Sequence, residues 1–162
     1  MNDTDRDNHE DRGADFEPKI VAFACTYCAY TAADLAGSLR LSYPASVRVI
    51  KLQCSGRTDP LLLLKAFEAG ADAVLVAGCE PGDCHFMRGN MRGKGCVRHI
   101  QRALEEASLD PRRLEFFHVA ASNARGWVDA VEEMTRRVRE LGPNPLRAAA
   151  RRRDAERPAR RD

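Results

Sequence analysis

The sequence predicts an α/β fold: a single domain with an open, mostly parallel four-stranded sheet that carries helices on both faces, of the Rossmann or flavodoxin-like kind. Two observations support this prediction. Short apolar segments recur along the chain, as strands buried inside a parallel sheet require. Segments with apolar residues at spacings of three and four, typical of amphipathic helices, lie between and after them. This alternation favours parallel strands joined by helical crossovers.

Four apolar segments are the predicted strands. The first three are short apolar runs, so we expect strands that are buried on both faces, and the fourth is similar in kind. The predicted strands comprise residues 19–24 (KIVAFA), 47–52 (VRVIKL), 73–78 (AVLVAG) and 114–120 (LEFFHVA).

A helix is predicted after each strand. In the second helix, Asp59 is a plausible N-cap, Pro60 suits the first turn, and Gly70 has the position of a C-terminal capping glycine. The predicted helices comprise residues 29–41, 60–69, 96–107 and 123–141. Their apolar stripes consist of Leu35, Leu39 and Leu41 in the first, Val97, Ile100 and Leu104 in the third, and Trp127, Val131, Met134, Val138 and Leu141 in the fourth.

Charge is unevenly distributed along the 162 residues, although the formal net charge is only +2. Residues 1–17 contain seven acidic residues against two arginines, and residues 145–162 contain seven arginines against three acidic residues. Both ends have few large apolar side chains to offset the entropy of ordering. We therefore predict one folded domain, residues 18–144, between two disordered charged tails.

The composition also bears on location and on partners. A membrane helix needs roughly 20 consecutive apolar residues, which the sequence lacks, and the acidic N-terminus does not resemble a secretory signal. We therefore expect a cytoplasmic protein without a membrane partner. An Arg-rich end can bind nucleic acid, but such a run is more often a solvated tail, so we expect no nucleic-acid partner.

Five of the six cysteines follow the predicted strands. Ligands of open α/β sheets bind beyond the carboxyl ends of the strands, near the switch in strand order. If the first strand lies between the second and the third, the five thiols meet at one edge of the sheet. Cys96 lies outside this pattern, and we interpret it as structural. Cys25 and Cys28 follow the first strand, Cys54 follows the second, and Cys79 and Cys84 follow the third.

The number and placement of these thiols indicate metal or redox chemistry. A reducing cytosol disfavours structural disulfides, and four thiolates suit either zinc or an iron–sulfur cluster. Structural zinc usually takes two compact CxxC pairs, whereas these ligands come from three loops with Cys54 alone on one of them. Small residues nearby would let backbone N–H groups approach the cluster sulfurs. The pattern therefore favours an iron–sulfur cluster over zinc. The small residues are Ser55, Gly56, Gly78 and Gly82.

Several neighbours of the cysteines have two interpretations. Arg57 could offset the charge of a cluster or hold an acidic partner, or it could be an ordinary surface arginine. His85 is interpreted as a hydrogen-bonding neighbour of Cys84 and not as a ligand, since a Rieske site needs two histidines. His118 falls inside a predicted strand and is interpreted as a core histidine. Residues 87–95 (MRGNMRGKG) are basic and glycine-rich, which predicts a docking loop.

The cysteine-bearing segments resemble a known family, the delta subunit of methyl-viologen-reducing hydrogenase. The similarity runs from about residue 19 to residue 142 and rests on specific motifs. They are CTYCAYTAADLAG, then YP, VRVIKLQCSGRTDP, GADAVLVAGCEPGDCHF and RGN.

The resemblance implies an iron–sulfur protein with a 2Fe–2S cluster. It implies an electron relay between a hydrogenase, or another electron-input module, and the flavin-containing A subunit of heterodisulfide reductase. It also implies that the family's cysteines are Cys25, Cys28, Cys54, Cys79 and Cys84, with no counterpart for Cys96. Four of these five are expected as iron ligands, and the isolated, glycine-flanked Cys54, Cys79 and Cys84 are favoured most.

Two other functions fit part of the pattern. A thiol–disulfide or sulfur-handling oxidoreductase would use Cys25 and Cys28 as its redox pair, but would leave the other three cysteines unexplained. A zinc-stabilised interaction module would be colourless and contain one zinc. Colour and metal content separate these functions, and Cys54→Ala should abolish a cluster while sparing a CxxC enzyme.

Overall fold

The structure, a computed structural model, describes residues 16–147 and contains four strands and four α-helices in one α/β domain. The predicted tails, 1–17 and 145–162, lie almost entirely outside the described residues. The strands are β1 (Ile20–Cys25), β2 (Val47–Leu52), β3 (Ala73–Gly78) and β4 (Leu114–His118). The helices are α1 (Ala29–Ser38), α2 (Pro60–Glu68), α3 (Gly89–Glu106) and α4 (Ala124–Leu141).

The sheet confirms the predicted topology. Its strand order is β2-β1-β3-β4, and all three strand pairs are parallel. β1 therefore lies between β2 and β3. The loops that follow β2 and β3 leave the sheet on either side of the carboxyl end of β1. In the register of the sheet, Cys25 is level with Leu52, and Gly78 is level with His118. The loops that carry the five cysteines consequently start at nearly the same height.

Helices cover both faces of the sheet, as predicted. Alternate residues of β1 and β3 point to opposite faces, so each face buries its own set of side chains. On one face, α1 and α4 pack through small residues of α1 and through Trp127. On the other, α2 and α3 pack onto Phe23 and Val76 through Leu63, Phe67, Val97, Ile100 and Leu104.

Strand β2 and helix α1 differ in detail from the prediction. β2 lies at the edge of the sheet with no strand on its outer side, and its residue Ile50 is 42% exposed. This strand is therefore not fully buried. In α1, the face toward the sheet consists of Ala29, Ala32 and Ala36, whereas Leu39 follows the helix and is exposed. Small side chains are suited to this position, since α1 lies close to both β1 and α4.

The largest difference concerns the glycine-rich segment 87–95. The sequence predicts a docking loop there, ahead of a helix at 96–107, but α3 already begins at Gly89. Tertiary packing outweighs the low helix propensity of its glycines. A Cβ atom at Gly93 would lie 2.6 Å from the Ser55 carbonyl oxygen, so glycine lets α3 pack directly on the turn after β2.

The predicted caps of α2 are confirmed. Asp59 accepts a hydrogen bond from the Leu61 N–H at 2.8 Å, Pro60 is the first helical residue, and Gly70 has a φ of +87°. Such a positive φ suits glycine at the end of a helix. Of the helices within residues 16–147, none is both long and apolar enough to cross a membrane.

Candidate metal centre

All five predicted cysteines lie at the carboxyl edge of the sheet, and all five are buried. Cys25 is the last residue of β1, and Cys28 immediately precedes α1. Cys54 opens a 3-10 turn, Ser55–Arg57, that follows β2. Cys79 directly follows β3, and Cys84 lies in the loop between β3 and α3. The strand order, with β1 in the middle, is what brings the three loops together.

Three of the thiols form a compact group. The Sγ atoms of Cys25, Cys28 and Cys79 all lie within 4.8 Å of one another, and the Cys25 and Cys79 Sγ atoms are 4.0 Å apart. This spacing is close to that of thiolates that share a metal centre. The sequence-based preference for Cys54, Cys79 and Cys84 as ligands, which rests on their isolated, glycine-flanked positions, stays a prediction.

Cys54 and Cys84 approach each other where two glycines meet. A Cβ atom on Gly89 would overlap the Cys54 Sγ atom and lie 3.2 Å from the Cys84 Sγ atom. A Cβ atom on Gly56 would lie 2.6 Å from the Gly89 Cα atom. The turn after β2 and the first residue of α3 therefore pack backbone to backbone, and only glycine leaves space there for both sulfur atoms.

Backbone N–H groups surround the sulfur atoms. The Gly56 N–H donates to the Cys54 sulfur over 3.4 Å, and the Ser55 and Tyr27 N–H groups donate to the Cys25 sulfur. The N–H groups of Ser55 and Gly56 thus lie beside cysteine sulfurs, and their approach to a cluster stays a prediction. Gly78 instead makes room for other groups, since a Cβ atom there would lie 2.5 Å from the Ser55 Oγ atom.

The start of α3 provides the donors for Cys84. Burial raises the pKa of the Cys84 thiol, but N–H donation from Asn90, Phe86 and Gly89 outweighs burial and lowers this pKa below its ordinary value. The positive end of the helix dipole acts in the same direction. Cys84 is therefore held in an environment that stabilises a thiolate.

The thiols of Cys25 and Cys28 share a hydrogen bond. A hydrogen bond from the Cys28 thiol lowers the pKa of Cys25 to about 5 despite its burial, whereas the pKa of Cys28 is raised because it is the proton donor of the pair. Burial is the main cause that raises the pKa values of Cys54 and Cys79. A metal centre relieves this cost, because bound thiolates share their negative charge with the cation.

The Cys79 backbone is held from two sides by residues that the sequence did not indicate. Asn90 is buried, and its side-chain amide donates to the carbonyl oxygens of Cys79 at 3.1 Å and Glu80 at 2.8 Å. His118, the last residue of β4, lies with Nδ1 2.9 Å from the Cys79 carbonyl oxygen and Nε2 3.3 Å from the Lys94 Nζ atom. Since a carbonyl oxygen only accepts, Nδ1 carries the proton and Nε2 accepts from Lys94.

The sequence contained a partial signal for Asn90 and His118. Asn90 belongs to the RGN motif of the resemblance, but the glycines around it predicted a loop, which hid its place in the first turn of α3. His118 was interpreted as a core histidine. It is only half-buried, and its ring supports the cysteine loop.

Three exposed aromatic rings pack together beside the cysteine loops. The rings of Tyr27 and His85 stack with their centroids 4.0 Å apart, and Phe86 packs edge-on against both. His85 therefore contributes a ring contact. This group joins the Cys25–Cys28 turn to the Cys84 loop.

Cys96 lies apart from the other thiols. It sits in the middle of α3, and its Sγ atom is 3.5 Å from the Thr58 carbonyl oxygen, on the α2 and α3 side of the sheet. Burial raises the pKa of its thiol. These contacts agree with a structural role.

The donor set fits a thiolate-bound metal centre. It offers five sulfur atoms from three loops, a glycine-lined space between two of them, and N–H donors aimed at three of the sulfurs. Hydrogen bonds of this kind support iron–sulfur clusters and raise their reduction potential.

Comparison with known proteins identifies the family. The sequence profile of the family described as "Methyl-viologen-reducing hydrogenase, delta subunit" matches residues 20–142. The chain belongs to this family. The match includes all four strands, all four helices and all five cysteines of the site.

Individual relatives agree with this family. The F420-non-reducing hydrogenase vhu iron-sulfur subunit of Methanocaldococcus jannaschii is 45% identical over 132 residues, which cover 82% of this chain and 98% of that protein. The protein of the same name from Methanococcus maripaludis is 46% identical over 132 residues, with the same coverage.

A different kind of relative contains the domain as a minor part. The A subunit of the ferredoxin/F(420)H(2)-dependent CoB-CoM heterodisulfide reductase of Methanosarcina acetivorans is 39% identical over 126 residues. These residues cover 78% of this chain but only 16% of that protein. In this relative, the domain is thus covalently joined to a much longer polypeptide.

Proposed function

We propose that this protein is an electron-transfer subunit that carries a 2Fe–2S cluster on four of the five thiols of Cys25, Cys28, Cys54, Cys79 and Cys84. The observation that carries the proposal is the meeting of these five buried thiols at one edge of the sheet. Relatives that are named iron-sulfur subunits support it. When bound, such a cluster takes up and releases a single electron.

The chain's own residues would bind and tune the cluster. The thiols of Cys25, Cys28 and Cys79 lie closest together and would supply most of the ligands. The backbone N–H groups of Gly56, Gly89 and Asn90 would stabilise negative charge on sulfur and so favour the reduced state. The stacked rings of Tyr27 and His85 would limit access of water.

The proposed partners are a flavin-bearing subunit of the heterodisulfide reductase A type and a hydrogenase or another electron donor. In the Methanosarcina acetivorans relative, a similar domain is part of the reductase polypeptide itself, which supports a partner of the same kind for the domain described here. The relatives named as hydrogenase subunits support the second partner. A cytoplasmic location stays a prediction.

Electron transfer to the flavoprotein tests the function. The full-length protein is purified anaerobically, reduced with dithionite, freed of excess reductant and mixed with the heterodisulfide reductase-type flavoprotein of the same organism. We expect the visible absorption of the oxidised cluster to return while the flavin absorption bleaches. A colourless protein with one zinc, or a coloured protein that passes no electron to the flavoprotein, would contradict the proposal.

A thiol–disulfide oxidoreductase is the second candidate, since the lowered pKa of Cys25 beside Cys28 is typical of a CxxC redox pair. Burial opposes it, because Cys25 and Cys28 are only 1% and 3% exposed and a substrate disulfide must reach the attacking sulfur. Catalytic reduction of a disulfide substrate by the apoprotein, lost in Cys25→Ser, would favour this candidate.

A further inference from the structure

A cleft beside the metal centre connects Cys54 with the surface. It has a volume of about 280 Å³, and its lining includes Cys54, Phe86 and three arginines, Arg57, Arg88 and Arg92. The arginines come from the turn after β2, from the residue before α3 and from the first turn of α3. This places three positive charges around an opening that leads to one of the candidate iron ligands.

These arginines differ from the ion-paired arginines on α4. Arg57, Arg88 and Arg92 are exposed, and none of them has an acidic partner within residues 16–147. On α4, Arg125 and Arg136 instead form ion pairs with Asp129 and with Glu133. The charge around the cleft is therefore available to a binding partner.

Large apolar side chains are exposed next to these arginines. Met87 is 84% exposed and Met91 is 56% exposed, and Phe86 in the cleft wall is 50% exposed. Met87 also has a φ of +63°, in the left-handed region that non-glycine residues rarely adopt. Methionine, aromatic residues and arginine are the types enriched at protein interfaces.

We propose that this surface, formed by Arg57, Phe86, Met87, Arg88, Met91 and Arg92 and here named the arginine–methionine surface, docks a protein electron-transfer partner that presents a patch of carboxylates. The inference rests on the proposed function and identifies where its flavin-bearing partner binds. Opposite charge steers such a partner to the surface, and the exposed apolar side chains provide the area that is buried on contact. Docking there covers the cleft, so the partner's cofactor comes closest to the cluster at Cys54.

The apolar part of the surface distinguishes a protein partner from other anions. A small anion would gain nothing from contact with the exposed apolar side chains of Met87 and Met91. A nucleic-acid phosphate backbone is bound through charge and polar donors. A protein that carries carboxylates around an apolar patch complements both the arginines and the exposed apolar side chains of the arginine–methionine surface.

Charge reversal tests the surface. The triple variant R57E/R88E/R92E is compared with R98E/R102E/R139E, which changes the charge equally at exposed arginines elsewhere on α3 and α4. The probe is the anaerobically purified heterodisulfide reductase-type flavoprotein of the same organism. We expect the first triple to weaken binding at least about tenfold and the control to change it less than about twofold, and we expect wild-type binding to weaken as salt is added.

The outcomes separate this inference from the proposed function. If wild type binds the flavoprotein and both triples bind equally well, the docking surface is wrong while the proposed function stands. If the wild-type protein does not bind the flavoprotein, both the docking surface and the proposed function are wrong. If the first triple lowers only the reduction potential of the cluster, the arginines offset cluster charge and the surface is wrong. Nucleic acid that co-purifies with wild type and not with the first triple, with flavoprotein binding unchanged, also overturns the inference.

A second pair of variants covers the case in which charge reversal disturbs folding. R57K/R88K/R92K keeps the charge and introduces amines that a carbodiimide joins directly to carboxylates in contact, and R98K/R102K/R139K is its control. We expect cross-links between positions 57, 88 or 92 and aspartates or glutamates of the flavoprotein. Equal cross-linking of the control positions, or cross-links at neither set, would overturn the inference.

Discussion

A single residue, Gly89, determines whether the sulfur atoms of Cys54 and Cys84 can approach each other. It lies at the contact between the turn after β2 and the start of α3, and a Cβ atom there would overlap the Cys54 sulfur. The surrounding backbone has little room to yield, because Gly56 packs directly against Gly89. The space for the sulfur atoms is therefore set by a missing side chain.

The variant G89A tests this account of the site. We expect it to lose most of its iron while remaining folded, since the displaced group is a sulfur atom at the edge of the sheet. Iron content and visible absorption after anaerobic purification measure the effect. The control is G95A in the same helix, where a Cβ atom meets nothing within 4 Å. Equal iron in both variants would show that the contact at Gly89 does not shape the site.

Cysteine substitutions test which thiols take part. Serine variants of all six cysteines are purified side by side, and iron and acid-labile sulfide are measured for each. We expect four of the five clustered cysteines to be required, and C96S to retain full iron because its sulfur contacts the Thr58 carbonyl oxygen away from the site. Loss of the cluster in C96S, or full clusters in two or more of the other variants, would contradict the assignment.

At the scale of elements, the end of the sheet opposite the cysteines is held by Arg113. This side chain is 4% exposed, and its guanidinium donates to the carbonyl oxygens of Asp72, Gly142, Leu141 and Pro143. It thereby joins the start of β4 to the end of α4. Burial lowers the pKa of Arg113, whereas the nearby Asp72 carboxylate opposes that shift.

Removal of this clamp should reduce stability without affecting the metal centre. In R113M, buried carbonyl oxygens lose their donors, and we expect the free energy of unfolding to fall by about 3 kcal/mol. Urea denaturation measures the change, and iron content should stay at the wild-type value. The neighbouring R112M is the control, because Arg112 is exposed and forms its ion pair with the nearby Asp110. If R113M and R112M unfold at the same urea concentration, Arg113 does not stabilise the fold in this way.

The elements were largely predictable from the sequence, and the exceptions have physical reasons. The apolar runs predicted all four strands, and Asp59, Pro60 and Gly70 predicted the ends of α2 correctly. The first two turns of α3 were missed because glycine favours a loop by about 1 kcal/mol per residue. They are helical because Gly89 and Gly93 pack against the turn after β2, a contact between segments more than 30 residues apart.

At the scale of the whole molecule, the site follows from strand order. Parallel strands with β1 between β2 and β3 bring the loops of Cys25, Cys54 and Cys79 to one edge, which the sequence pattern predicted. The grouping of the thiols was not predictable, because it depends on how α3 starts and on side-chain directions at the strand ends. For the same reason, the supporting contacts of Asn90 and His118 to the Cys79 carbonyl oxygen became visible only in the structure.

The most direct test of the central claim is the metal and sulfide content of the full-length protein after anaerobic purification. The proposed 2Fe–2S cluster on the buried thiols at the carboxyl edge predicts two iron atoms and two acid-labile sulfides per chain. The visible absorption should bleach on reduction. One zinc per chain without sulfide, or a colourless protein that contains no metal, would contradict the account.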